Sequence, residues 1–284
     1  MDRQQRITVF QENLELFKEG CYETSDGRRI RLRPSKPEYY DSPFELEAEP
    51  PVPGGTEFEV VNEDCIAVTR RLKKEGYNVA VLNMASLKHP GGGVETGAGA
   101  QEEQLCRRSN LIQTLYQFSK EKSQLCKELS LPLREVQYPM HPRFGGIYSP
   151  DVVFFRESEN KGCVLSNRPF TAAVISVAAI SHPRLDGNGR MLDREVQQTK
   201  DKIRTILRIG LEYGHDALVL GALGCGAFAN PPAQMASLFH EVFEEHEFKD
   251  QYRRIVFAIL EDRNSRRNSA EGNFIPFKKE FETP

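Results

Sequence analysis

The sequence lacks any apolar run of about eighteen residues, so it predicts no membrane-spanning helix. It lacks a C-x-x-C pair and any dense cysteine framework. Its cysteines, Cys21, Cys65, Cys106, Cys126, Cys163 and Cys225, are scattered, which fits a reduced intracellular, cytoplasmic setting (or a nuclear one in a eukaryotic cell). The opening MDRQQRITVFQENLELF has no apolar core of the kind a secretory signal needs. No H-E-x-x-H or H-x-E occurs among the histidines, so no catalytic metal and no cofactor are expected. Neither G-x-G-x-x-G in a dinucleotide-binding context nor G-x-x-x-x-G-K-[ST] is present, which disfavours a Rossmann dehydrogenase and a P-loop kinase. A basic excess is missing too: 38 Lys and Arg stand against 41 Asp and Glu, so an anionic ligand must be held by a local pocket, and direct DNA binding is not expected. The short basic runs Lys73–Lys74, Arg253–Arg254 and Arg266–Arg267 read as solvated faces. There is no internal repeat and no low-complexity tract.

What is present is an alternation of strands and helices. Residues 5–19 predict an amphipathic helix with Phe10, Leu14 and Phe17 on one face. A polar, proline-rich stretch over 28–55 predicts an irregular arm. FEVVN (58–62) predicts a strand, and Asp64 can cap the helix after it. NVAVLN (78–83) predicts a second strand, followed by a glycine-rich loop and a helix from about Gln101 carrying Leu111, Leu115 and Phe118 on one face. GIYSPDVVFFR (146–156) predicts a strand interrupted at Pro150, and TAAVISVAAI (171–180) a strand buried on both faces. A polar helix is expected over 190–213. DALVLGAL (216–223) predicts another buried strand, and a second glycine-rich turn follows. The next helix should start at Pro231 or Pro232, with Met235, Leu238, Phe239, Val242 and Phe243 as its core stripe. RIVFAIL (254–260) closes the series, and DRNSRRNSAEGN reads as a mobile tail before a final apolar FIPF. The pattern implies one α/β domain over 1–284: a helix and proline-rich arm to residue 55, then a three-layer α/β/α core with a mostly parallel sheet.

Two loops carry the chemistry. Gly91, Gly92 and Gly93 follow a buried strand, and GALGCGAFANPP (221–232) follows another and runs into a helix start. Glycines let backbone approach a ligand and aim N–H groups at oxyanions, and helix N-termini bind phosphate. At the C-terminal ends of parallel strands, two such loops are placed to grip a diphosphate from both sides. Gln101, Glu102 and Glu103 open the helix after the first loop. Acidic residues there suit the helix dipole, but a carboxyl beside a sugar–diphosphate also has acid/base chemistry to offer.

The spacing GGG, seven residues, then QEE (Gly91–Gly93 to Gln101–Glu103) resembles the signature of the bacterial-type poly(ADP-ribose) glycohydrolases, a family built on the macrodomain fold. NMASLKHPGGG, IYSPDVVFFR, TAAVISVAA and GCGAFANPP resemble that family in order, as does the N-terminal GCYETSDGRRIRL, so the resemblance covers most of the chain.

The resemblance implies a fold, a reaction and roles. The fold would be a three-layer α/β/α macrodomain with a mixed, mostly parallel sheet and an N-terminal helical extension. Glu103 would be the acid/base, Glu102 would bond ribose hydroxyls, and Gln101 would brace the turn. Gly91, Gly92 and Gly93 together with Gly224, Cys225, Gly226, Ala227 and Phe228 would hold the diphosphate. Phe228 packs either near the distal ribose or as a core anchor for its helix. Asn83 matches the first asparagine of a macrodomain N-x-x-N pattern, with Ser86 in place of the second; it bonds the ribose or pins the loop. Asp64 and Glu63 compete for a contact to the adenine, against a plain helix cap. Cys225, between two glycines, suits a crowded turn better than a nucleophile's role. AAISHPR stands where the family pattern has an asparagine, which leaves Ser181 and His182 without assigned roles. Poly(ADP-ribose) and ADP-ribosylated proteins would be partners and ADP-ribose the product, with release from chain ends, by a monomer away from any membrane. The alternatives are a non-catalytic ADP-ribose reader and a hydrolase of mono-ADP-ribosyl-protein linkages.

Overall fold

The computed structural model describes residues 1–46, 50–135, 137–261 and 271–282. Along the chain run α1 (Arg3–Glu19), β1 (Cys21–Glu23), β2 (Arg29–Arg31), β3 (Glu38–Tyr40), β4 (Glu57–Val61), α2 (Cys65–Lys74), β5 (Val79–Met84), α3 (Gln101–Arg108), α4 (Ile112–Leu115) and α5 (Ser123–Glu128). Then follow β6 (Gly146–Arg156), β7 (Leu165–Val177), α6 (Asp193–Glu212), β8 (Ala217–Leu220), α7 (Pro232–Phe243), β9 (Arg254–Ala258) and α8 (Phe274–Glu282). The class is α/β, with a mixed, mostly parallel sheet and flanking helices. Contacts group the chain into two compact units, one of Met1–Tyr39, Ala85–Met140 and Ile147–Ser176, the other of Tyr40–Met84, His141–Gly146 and Val177–Pro284. No helix among the described residues is long and apolar enough to cross a membrane.

In the second unit four strands lie parallel in the order β5, β8, β9, β4, with Ala80 opposite Leu218, Val219 opposite Val256 and Val60 opposite Phe257. All four residues of β8 are buried, as a strand covered on both faces requires. Parallel strands need crossovers: α7 supplies the one between the neighbours β8 and β9, and α2 lies on the connection from β4 to β5, at opposite ends of the four. Asp64 is the N-cap of α2, its carboxylate accepting the Ile66 N–H at 3.4 Å, so the cap reading holds. Pro232 occupies the first turn of α7, and Met235, Leu238, Phe239, Val242 and Phe243 are all buried. The apolar FIPF opens α8, whose Phe277 is fully buried and whose Phe281 stacks on Phe58 at 5.0 Å.

Within α6, Lys202 is 2 % exposed, and its Nζ has no hydrogen-bond partner among the described residues. Burial pulls its pKa down to about 8. Between about pH 8 and the ordinary lysine value the unfolded chain therefore binds the extra proton, so stability rises with pH across that window. Below it the folded state carries the whole cost of the buried charge. Lys202→Met should stabilise the protein by roughly 2–3 kcal/mol at pH 7. In denaturant melts that gain should shrink above pH 8 and nearly vanish by pH 10.5.

In the first unit, β6 lies between β3 and β7, and the short connection from β6 back to its neighbour β7 makes that pair antiparallel. β6 runs unbroken through Pro150, contrary to the expected interruption. The residue after the proline, Asp151, takes a φ of +51°. The arm expected to be irregular contains β2, which pairs antiparallel with β1, and β3. Helix α1 begins with a capping box between Asp2 and Gln5 and ends at Gly20 in the left-handed region. Its buried face comprises Val9, Phe10, Asn13 and Phe17, with Leu14 only half-buried. Asn13 takes the inner place because its amide is used on both sides, donating to the Arg107 carbonyl at 2.8 Å and accepting from Arg156 Nε at 2.6 Å.

The helix expected from Gln101 stops at Ser109, which turns extended and forms a single bridge with Phe154. Asn110 then accepts the Val153 N–H at 2.8 Å and donates to Leu32 O at 3.1 Å, so side chains replace the helical ladder at the break. Leu111, Leu115 and Phe118 are buried as expected, but on the short α4 and the 3-10 turn after it. Most of the tail expected to be mobile, 262–270, lies outside the described residues.

Candidate active site

After β5 the chain makes the first glycine loop, passes through a 3-10 turn at Val94–Thr96, and enters α3 at Gln101, which is half-buried. Ala100, the N-cap, has no side chain to cap the helix. The first-turn acids Glu102 and Glu103 are 4 % and 7 % exposed. They reach back to the loop. Glu102 Oε2 accepts the Ser86 N–H at 2.7 Å, and Oε1 accepts the Gly91 N–H at 3.1 Å. Glu103 Oε1 accepts the Gly93 N–H at 2.7 Å. These are charge-assisted bonds, and they fix loop and helix to each other. Ser86 tightens the same turn, its hydroxyl accepting from His89 N at 3.1 Å.

This changes the reading of the triple glycine. The Gly91 and Gly93 N–H groups point at the protein's own carboxylates, and the Gly92 N–H donates to His89 O at 2.9 Å. All three donors thus have acceptors within the protein, Glu102 and Glu103 on α3 and His89 in the loop. The glycines are needed for close approach. Gly91 and Gly92 have φ of +76° and +58°. A Cβ on Gly92 would collide with Glu103 Oε1 and stand 3.0 Å from Glu102 Oε2. Each Glu102 oxygen accepts a loop N–H, which makes Glu102 a pin for the loop, and each oxygen keeps a second lone pair for another donor.

Glu103 differs from Glu102. Its second oxygen, Oε2, is buried and accepts no hydrogen bond among the described residues. A buried carboxylate oxygen left unpaired costs stability, so a group serving only the fold would be expected to be paired.

In the second unit, Leu223–Phe228 forms the other loop, with Gly224 at φ +76°. Sequence reasoning missed the residue that ties it. Asn230 is 1 % exposed, and its Nδ2 donates to Ile180 O at 2.7 Å, to Gly224 O at 3.0 Å and to Phe228 O at 3.3 Å. Only its position, just before the proline start of α7, hinted at such a role. Phe228 O also accepts the His182 N–H at 2.8 Å. Among the described residues the N–H groups of Gly224, Ala227 and Phe228 donate to no protein acceptor. This loop thus keeps the donors that the first loop has spent. Phe228 itself is half-buried. Cys225 is fully buried, and burial pushes its thiol well up, so it fits the crowded turn and not a nucleophile's place. His182 is an exposed loop residue whose Nδ1 lies 3.0 Å from Ser181 Oγ. Asn83 is fully buried near the end of β5.

The family model described as the microbial-type PARG catalytic domain matches residues 10–157, which include the first loop and both glutamates. The poly(ADP-ribose) glycohydrolase of Thermomonospora curvata, solved with the inhibitor ADP-HPD, is 26 % identical, with a TM-score of 0.74 over 98 % of this chain and 100 % of that one. The glycohydrolase of Deinococcus radiodurans, solved with ADP-ribose, is 30 % identical, with a TM-score of 0.62 over 80 % of this chain and 84 % of that one. Among curated proteins nothing matches.

Proposed function

The chain belongs to the microbial-type PARG catalytic-domain family, and from that premise we propose that it hydrolyses the ribose–ribose bonds of poly(ADP-ribose), releasing ADP-ribose with Glu103 as acid and base. The observation that carries the reading is the split state of the Glu103 carboxyl: Oε1 is tied to Gly93, and Oε2 is unpaired. A general acid needs one oxygen held and one able to hand over a proton.

Protonated at Oε2, Glu103 donates to the departing 2′ oxygen of the neighbouring unit as the bond from that oxygen to the anomeric carbon breaks. Positive charge grows on the distal ribose and is stabilised by the ligand's own diphosphate. The ionised Glu103 then takes a proton from the water that attacks the anomeric carbon, which restores the acid. The two glutamates are adjacent on one helix and cannot flank the sugar from opposite sides, so one residue performs both transfers. Productive contact requires a small rotation of the Glu103 side chain about its anchored oxygen, because Oε2 is covered by protein. Glu102 holds the loop that holds Glu103. In the second unit, the open N–H groups of Gly224, Ala227 and Phe228 are donors of the kind that phosphate oxygens take. Gln101 braces the first turn of α3, and Asn83 serves the ribose side.

Attack from chain ends, ADP-ribosylated proteins as partners and a monomeric, intracellular enzyme that reverses ADP-ribosylation, including that made in response to DNA damage, complete the proposal. The scattered cysteines, none in a disulfide, support the compartment.

The test is incubation of the purified protein with poly(ADP-ribose), followed by chromatography. Release of free ADP-ribose is expected. Tight ADP-ribose binding without release would favour a reader, and release only from singly modified proteins would place the activity on another linkage.

A further inference from the structure

Arg107 stands four residues after Glu103 on α3, so the two side chains are neighbours on one helix face, with the acid on the N-terminal side. Arg107 is fully buried, and Nε, Nη1 and Nη2 all lack a hydrogen-bond partner among the described residues. Its closest counter-charge is Glu159 Oε1, at 3.6 Å. That carboxylate is already engaged by Arg6, which donates to it twice, at 2.8 and 2.9 Å. Two guanidinium groups thus share one carboxylate, and Arg107 holds the looser ion pair and makes no hydrogen bond of its own. Such a weakly paired buried cation is a poor stabiliser of a fold, and apolar replacements of buried charges are often neutral or stabilising. The backbone around it is nevertheless fixed: Asn13 of α1 donates to the Arg107 carbonyl at 2.8 Å.

Two buried groups of opposite sign that lack hydrogen bonds thus lie one helical turn apart, the Glu103 Oε2 atom and the Arg107 guanidinium. We propose that Arg107 is a positioning residue that acts through Glu103, its buried positive charge stabilising the carboxylate left when the proton passes to the leaving oxygen. The inference rests on the acid/base reading of Glu103.

Other charges bear on the pair. From α1, Arg6 adds a second cation to the field of Glu103, and Glu159, in the 3-10 turn after β6, opposes both arginines. On α3 itself Glu102 and the buried thiol Cys106 face the same region, and Cys163 is near enough to act electrostatically on Arg107 and Arg6. Burial draws the Arg107 guanidinium below its ordinary value, while Glu159 and Glu103 pull it back.

The test uses the full chain in two forms, Arg107→Met and Arg107→Lys, and follows the Glu103 carboxyl by carbon NMR titration alongside the pH profile of kcat on poly(ADP-ribose). Removing the cation disfavours the Glu103 anion. In Arg107→Met the carboxyl midpoint and the alkaline limb of kcat should therefore move up by about one pH unit or more. ADP-ribose Kd should stay within about threefold, the melting temperature should be unchanged or higher, and Arg107→Lys should return both midpoints toward the parent. The NMR midpoint needs no polymer, so it separates failure of this inference from failure of the proposed activity. If Arg107→Met does not fold, Arg107→Gln carries the same prediction, since it keeps polar bulk without charge. A Glu103 midpoint unmoved in the neutral variant, or moved equally in Arg107→Lys, would overturn the proposal.

Discussion

Glu103→Gln should lower kcat on poly(ADP-ribose) by about 10³-fold, within the range of roughly 10²–10⁴ that a positioned acid/base contributes, while leaving ADP-ribose affinity within a few-fold. The substitution is nearly isosteric. Its amide oxygen can still accept the Gly93 N–H that Glu103 Oε1 accepts, so the loop keeps its shape. What it removes is the proton. An amide can neither donate an acidic proton to a leaving alkoxide nor accept one from water at neutral pH. Paired measurements of single-turnover rate and of ADP-ribose Kd by calorimetry separate the two effects. A variant that kept more than a tenth of the parent kcat would take Glu103 out of the reaction.

Gly92→Ala should be nearly as damaging, at about 10²-fold in kcat, although it changes no chemical group. Gly92 has φ of +58°, a conformation costly for alanine, and its added methyl would overlap the Glu103 oxygen that is tied to Gly93. The carboxyl must then rotate or the loop must shift, and a displacement of about 1 Å at a reacting group is enough to cost two orders of magnitude. The loss should fall on kcat more than on ADP-ribose Kd, because the N–H donors of Gly224, Ala227 and Phe228 belong to a different loop. Gly187→Ala is the control: Gly187 is not in the left-handed region and has nothing within 4 Å of its added Cβ, so activity should be unchanged. Equal kcat in the two variants would mean that Gly92 does not seat the acid.

How far the sequence was readable follows from the range of each contact. The Asp64 cap, the proline start of α7 and its stripe from Met235 to Phe243 depend on residues within two turns of one another, and they appear as read. The pairing of the glycine loop with the acids was legible because both lie within the thirteen residues from Gly91 to Glu103. Which donor meets which oxygen was not. Composition makes a triple glycine an anion nest, whereas the fold turns its donors onto Glu102 and Glu103 and leaves open donors at Gly224, Ala227 and Phe228. Long-range polar contacts were invisible. Asn13 displaces Leu14 from the buried face of α1 because its partners are 94 and 143 residues away in sequence. Asn230 ties its loop to Ile180, 50 residues upstream. Ser109 ends α3 by bridging to Phe154, a tertiary pairing that overrides the continuous helical periodicity. Pro150 read as a break because a proline cannot donate, yet β6 continues through it, with Asp151 at φ +51°.

Crystals of Glu103→Gln soaked with ADP-ribose give the most direct measurement. The terminal ribose should sit with its anomeric oxygen within hydrogen-bond reach, about 3 Å, of the residue 103 amide. A nucleotide bound with its sugar beyond the reach of residue 103 would contradict the account.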